Sequence, residues 1–178
     1  LGQFLFGIGL FLLRREADNQ PRLLRTAVAT VAVLLATILS ITQVRFDPLK
    51  LASGVFRTGD TTLSGQILFY RDGKTASVSV VQEGSVHRAI ATNGKPDAGI
   101  NMQGKPSVDE ATMTLLGALP LAIHDHPEEI GVIGFGSGMS THILLGDERV
   151  KRVDSIEIEP VMVEGARAFG AKVARAYD

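Results

Sequence analysis

The sequence predicts an α/β protein in which membrane helices precede a small antiparallel β-meander and the first half of a Rossmann-like parallel sheet. Three observations predict it. Thr26 to Val44 carries no charged residue. Between Gln66 and Thr92, short apolar runs alternate with polar turns. From Gly131 to Glu159 the chain reads strand, glycine loop, helix, strand, acid.

The apolar stretch comes first. Leu1 to Leu13 is uncharged and reads as the end of a membrane helix, and Arg14 to Arg25 is a polar loop with four arginines. Thr26 to Val44 then covers about 28 Å as a helix, close to the hydrocarbon thickness of a bilayer. A buried core helix of that length keeps a polar face, which this one lacks. Residues 1–45 are therefore read as a membrane region with one full span at 26–44. Four arginines precede the span (Arg14, Arg15, Arg22, Arg25), and Arg45, Lys50 and Arg57 follow it, so loop charge barely sets orientation. The soluble part is expected on the cytoplasmic side of a multi-pass bacterial inner-membrane region.

Residues 46–65 read as a connector containing Pro48, Gly54 and Gly59. The meander is expected over 66–108. Gln66 to Tyr70 is a short apolar strand, Thr75 to Gln82 alternates like a half-buried strand, and Val86 to Thr92 is a third. Asn93-Gly94 marks a tight turn. Asp109 is expected to cap a helix that Pro120 ends near Leu119.

Residues 109–178 are read as the N-terminal part of the cofactor-binding domain. Gly134, Gly136 and Gly138 form its loop, because such a loop needs unusual φ and close backbone approach to a ligand. A following helix adds unpaired N–H groups. The acid after the second strand, Glu157, suits the two hydroxyls of a ribose. Met139 stands where a dinucleotide loop has its last glycine, so the spacing is G-x-G-x-G rather than G-x-G-x-x-G. That spacing points to a sheet of the S-adenosylmethionine-methyltransferase type.

Other chemistries are poorly served. A net charge of −1 gives no electrostatic case for nucleic acid, and the absence of cysteine removes disulfides, thiolate metal sites and cysteine nucleophiles. His124, Asp125 and His126 are suitable ligand types, but no further partner is evident nearby, so the loop reads as solvated and no metal is expected. The serines near the loop lack a histidine–acid set. The chain begins at Leu1 without methionine and stops soon after a second helix, so both ends read as cut.

Asn93-Gly94-Lys95-Pro96-Asp97, Asp109-Glu110, Leu119-Pro120-Leu121, Val132 to Gly138 and Ile156-Glu157-Ile158-Glu159-Pro160 follow one another in that order. Over Gln66 to Phe169 this order resembles the spermidine synthase (polyamine aminopropyltransferase) family. The closer resemblance is to its membrane-fused branch, with a transporter-like region ahead of the synthase-like domain. The resemblance implies transfer of an aminopropyl group from decarboxylated S-adenosylmethionine to a small polyamine. It implies that Gly134, Gly136, Ser137 and Gly138 lie against the nucleoside, that Glu157 binds ribose, and that Glu159 shares its strand face and meets the rim. Gln66, Asp97 and Asp109 match substrate-side positions.

Ser137 stands where the family carries an acid, and Met113 and Thr114 stand where it carries tyrosine and glutamine. In the family the proton-removing acid follows a later strand, so the catalytic residues are expected beyond Asp178. Two alternatives remain open: an S-adenosylmethionine-dependent methyltransferase, and a transporter whose soluble domain senses a polyamine or nucleoside. The oligomeric state, a homo-oligomer included, also stays open.

Overall fold

A computed structural model describes residues 22–43, 47–61 and 63–178, without the side chains of 22, 23 and 58. The apolar run Leu1–Leu13, the arginine loop up to Pro21, and Arg45 lie outside the described residues. The chain divides into two compact units, Leu1–Arg45 and Phe46–Asp178.

In the first unit, helix α1 runs Arg22–Gln43. Its polar side chains are mostly threonines whose hydroxyls turn back on the helix: Thr30 donates to the Thr26 carbonyl at 2.8 Å and Thr37 to that of Val33 at 2.8 Å. Those hydroxyls are satisfied without water. Among the described residues, one helix, over Leu24–Gln43, is long and apolar enough to cross a membrane.

The second unit is built on β-period patterning. Strands β1 (Gln66–Asp72), β2 (Ser77–Glu83), β3 (His87–Thr92) and β4 (Lys95–Asn101) form an antiparallel sheet in sequence order. Two features depart from the simple alternation expected. Strand β2 is buried on both faces across Val78, Ser79, Val80 and Val81, because both faces of the sheet are covered. The expected connector is also structured, forming α2 (Pro48–Ala52) and α3 (Val55–Thr58), with α2 packed over β1 and β2. Strand β4 was not expected from the sequence. It contains Pro96 and Gly99, both poor strand formers, and sits at the sheet edge, where a proline is tolerated.

Helix α4 (Val108–Ile123) begins and ends differently from the expectation. Ser107, not Asp109, is the N-cap: its Oγ accepts the Glu110 N–H at 3.1 Å, and Glu110 Oε2 accepts the Ser107 N–H at 2.8 Å. Pro120 lies inside the helix, which continues to Ile123. Its fixed φ is helical, and the one N–H it lacks is missing on an exposed side.

Strands β5 (Glu129–Ile133) and β6 (Arg152–Ile156) pair in parallel, with Ile133 opposite Ile156. Helix α5 (Met139–Leu144) connects them, and α6 (Pro160–Ala166) leads into a kinked 3₁₀ segment, Arg167–Tyr177. The architecture is thus α/β: an apolar N-terminal helix, an antiparallel four-stranded sheet and a parallel pair. The main core lies where the meander meets this second part. Val78, Val80, Ile90, Ala98 and Ile100 pack with Met139, Val161, Met162, Ala166, Phe169 and Val173. Gly165 allows the approach, since a Cβ there would lie 3.1 Å from the Phe69 ring.

One face of the parallel pair is covered by α5, through Thr141 Oγ1 and Ser155 Oγ at 2.8 Å. On the other face Ile133 is 92% exposed, and Ile158 just after β6 is 82% exposed. Leu115, Leu116, Leu119 and Ile123 of α4 are exposed as well.

Candidate functional site: a glycine loop and an acid at the ends of two parallel strands

Parallel strands deliver their carboxyl ends to the same side, and here those ends carry the glycine loop and Glu157. The first glycine extends the ladder, Gly134 N–H donating to the Ile156 carbonyl at 2.8 Å. The next N–H, of Phe135, donates to Glu157 Oε2 at 2.8 Å, and the Glu159 N–H donates to Glu157 Oε1 at 3.0 Å. The carboxylate of Glu157 is therefore held from both sides by backbone. Each oxygen keeps lone-pair capacity for a further donor.

The three glycines do different work. Gly134 (φ 82°) and Gly136 (φ 54°) have left-handed backbone, and a Cβ on either would meet nothing within 4 Å. Their Cα atoms thus border open space. Gly138 is a packing position, where a Cβ would lie 2.9 Å from the Phe135 ring. That ring in turn packs edge-on against Tyr177, with centroids 5.6 Å apart.

Ser137 points away from the open side. It is 1% exposed, its Oγ donates to Met113 Sδ at 3.1 Å, and it accepts the Met139 N–H at 3.3 Å. Two positions singled out separately in the sequence thus touch each other beneath the loop. Ser140 Oγ adds a bond to the Met113 carbonyl at 3.1 Å, tying α5 to α4.

Glu159 does not continue the β6 strand face, because β6 ends at Ile156. It is the N-cap of α6 and is 3% exposed. Its Oε2 accepts the Thr75 N–H at 2.8 Å, the Thr75 hydroxyl at 2.7 Å and the Ala76 N–H at 3.3 Å. Its Oε1 accepts the Val161 N–H at 3.1 Å. The bonds from Thr75, backbone first and hydroxyl second, hold its pKa down to about 2 against the opposing effect of burial.

The three substrate-side candidates are not gathered at the loop. Gln66 opens β1, beside Asp47, Leu49 and Tyr70; the turn that meets Glu159 is at the other end of β1, roughly 20 Å away along the strand. Asp97 lies exposed on the edge strand, 3.7 Å from Lys95 Nζ. Asp109 lies in the first turn of α4, and its Oδ2 and the His87 ring both crowd the space over Gly99. Asp109 stands one helical turn before Met113. Among the described residues, no group of three histidine or carboxylate side chains is arranged to hold a metal.

Sequence reasoning missed the Thr75–Glu159 and Ser137–Met113 pairs. The first joins residues 84 positions apart, so no local pattern signals it. A hint for the second was the polar Ser137 followed by apolar Met139 at a helix start.

No family model matches the sequence, and no curated protein does. Solved structures do resemble the fold. A spermidine synthase in complex with the transition state analogue AdoDATO superimposes with a TM-score of 0.52 at 16% identity, covering 64% of this chain and 36% of that one. The spermidine synthase from Thermotoga maritima gives a TM-score of 0.52 at 16% identity, covering 64% of this chain and 38% of that one. The chain thus spans less than two-fifths of each, and the likeness is one of fold.

Proposed function

We propose that this chain is part of a membrane-anchored, spermidine synthase-like aminopropyltransferase that takes decarboxylated S-adenosylmethionine and a small polyamine. The single observation that carries the reading is the Glu157 carboxylate. It stands at the carboxyl end of β6, held by the Phe135 N–H of a loop whose first two glycines border open space. That arrangement fits an adenosyl group: glycine backbone against the nucleoside, and a fixed carboxylate for the ribose hydroxyls. The fold likeness to spermidine synthases, one of them holding AdoDATO, supports the same reading. In such a transfer the amine nitrogen bonds to the carbon beside the sulfonium, the C–S bond breaks with its electron pair going to sulfur, and the nitrogen gives up a proton.

The membrane anchor in this proposal is α1, with the folded unit on the cytoplasmic side. The exposed Ile133 and Ile158 support a further part of it, that more strands and helices of the same domain cover this face.

A second reading, an S-adenosylmethionine-dependent methyltransferase, is favoured by one observation. Position 137 is a serine, turned under the loop against Met113, so the loop presents no carboxylate there to repel that of the intact cofactor. The detergent-solubilised full-length protein, given putrescine and each cofactor in turn, separates the two. Methylthioadenosine formed only with the decarboxylated cofactor supports aminopropyl transfer. A methylated product formed with the intact cofactor supports the second reading. Turnover with neither overturns both.

A further inference from the structure

We propose that Glu159 is a positioning residue: it straps the β1–β2 turn to the loop after β6 and so fixes the carboxylate of Glu157, without itself touching a ligand. The inference rests on the nucleoside reading above and adds to it a device that controls the ribose site.

Every partner of the Glu159 carboxylate is internal. One oxygen takes two donors from Thr75 and one from Ala76, and the other caps α6 through Val161. With the residue buried, no lone pair is presented to the open side of the loop. The fit is close on the turn side as well. A Cβ on Gly73 would lie 2.2 Å from Glu159 Oε1, so a side chain there would push the carboxylate or the turn aside.

The backbone of the same residue completes the link. Its N–H donates to Glu157 Oε1, opposite the Phe135 N–H on Oε2. The direction of that N–H depends on the backbone of residue 159, which its anchored side chain holds in place. The meander turn, residue 159, Glu157 and the glycine loop form one hydrogen-bonded series. A neutral amide at 159 would break it with little change of shape, because its NH₂ must face a donor, either the Thr75 and Ala76 N–H groups or that of Val161.

The test is a binding cycle on the detergent-solubilised full-length protein, with 5′-methylthioadenosine as the calorimetric probe. Glu159→Gln is expected to weaken binding about fivefold to tenfold, on the scale of a single net hydrogen bond. In a Glu157→Ala background, Glu159→Gln is expected to have no further effect, since the carboxylate it positions is gone. Thr75→Val removes one of the three donors and is exposed, so it tests the same series if Glu159→Gln folds poorly. It is expected to weaken binding about twofold to threefold in the wild-type background only. Unchanged affinity in both variants overturns the inference. Equal losses with and without Glu157 also overturn it, because they mark a general structural role. A wild-type protein that does not bind the probe overturns the nucleoside reading, and the inference with it.

Discussion

Ser137 Oγ lies 3.1 Å from Met113 Sδ, so the hydroxyl within the glycine loop faces α4 and not the space the loop borders. A charged side chain at 137 would therefore enter a site that is 1% exposed and lined by a thioether. Ser137→Asp is expected to destabilise the fold by about 3 kcal/mol at pH 7, the scale of an uncompensated buried charge. The loss should shrink at pH 4, where more of the carboxyl is neutral. Urea unfolding at the two pH values measures it. A variant as stable as wild type at pH 7 would mean that position 137 opens toward the ligand.

The stability of the chain in acid should depend on Glu159. The Thr75 N–H and hydroxyl set its pKa at about 2, against an ordinary value of 4.5. The folded value is the lower one. Its stabilisation is therefore fully present above pH 4.5 and is lost as the pH falls toward 2. Urea midpoints across that window should fall more steeply for wild type than for Glu159→Gln. Parallel curves would show that the carboxylate bonds to Thr75 and Ala76 do not form in solution.

Gly54 and Gly94 bring two backbones together. A Cβ on Gly54 (φ 62°) would sit 2.3 Å from the Gly94 carbonyl oxygen, which fixes the α2–α3 segment against the β3–β4 turn. Gly59 (φ 77°) has similar backbone but open space around it. Gly54→Ala is expected to cost about 2 kcal/mol and Gly59→Ala about 1 kcal/mol, strain alone accounting for the second. Thermal melts of the two variants compare them, and equal losses would place the α2–α3 segment away from the turn.

What the sequence revealed follows from the range of the interactions involved. The strand–loop–helix–strand order around Gly134 and Glu157 was legible because each part is local: an apolar run, spaced glycines, a second run, an acid. The meander was legible as far as Asn93-Gly94. Strand β4 was not, since Pro96, Asp97 and Gly99 hide its pattern and only pairing with β3 makes it a strand. Pro120 reads as a stop, yet α4 passes through it because the missing N–H falls on the exposed side. The environments of Ser137 and Glu159 were not legible at all. Both are set by partners far along the chain, Met113 on α4 and Thr75 in the meander, and a serine in a loop or an acid after a strand looks the same whichever way it turns.

The proposed role of Glu157 is to hold the ribose of an adenosyl ligand beside the glycine loop. Calorimetric titration of 5′-methylthioadenosine into wild type and Glu157→Ala tests it most directly. Loss of hydrogen bonds to a charged acceptor should weaken binding by about 1–3 kcal/mol, roughly fivefold to 150-fold. Equal affinity for the two proteins would contradict the claim.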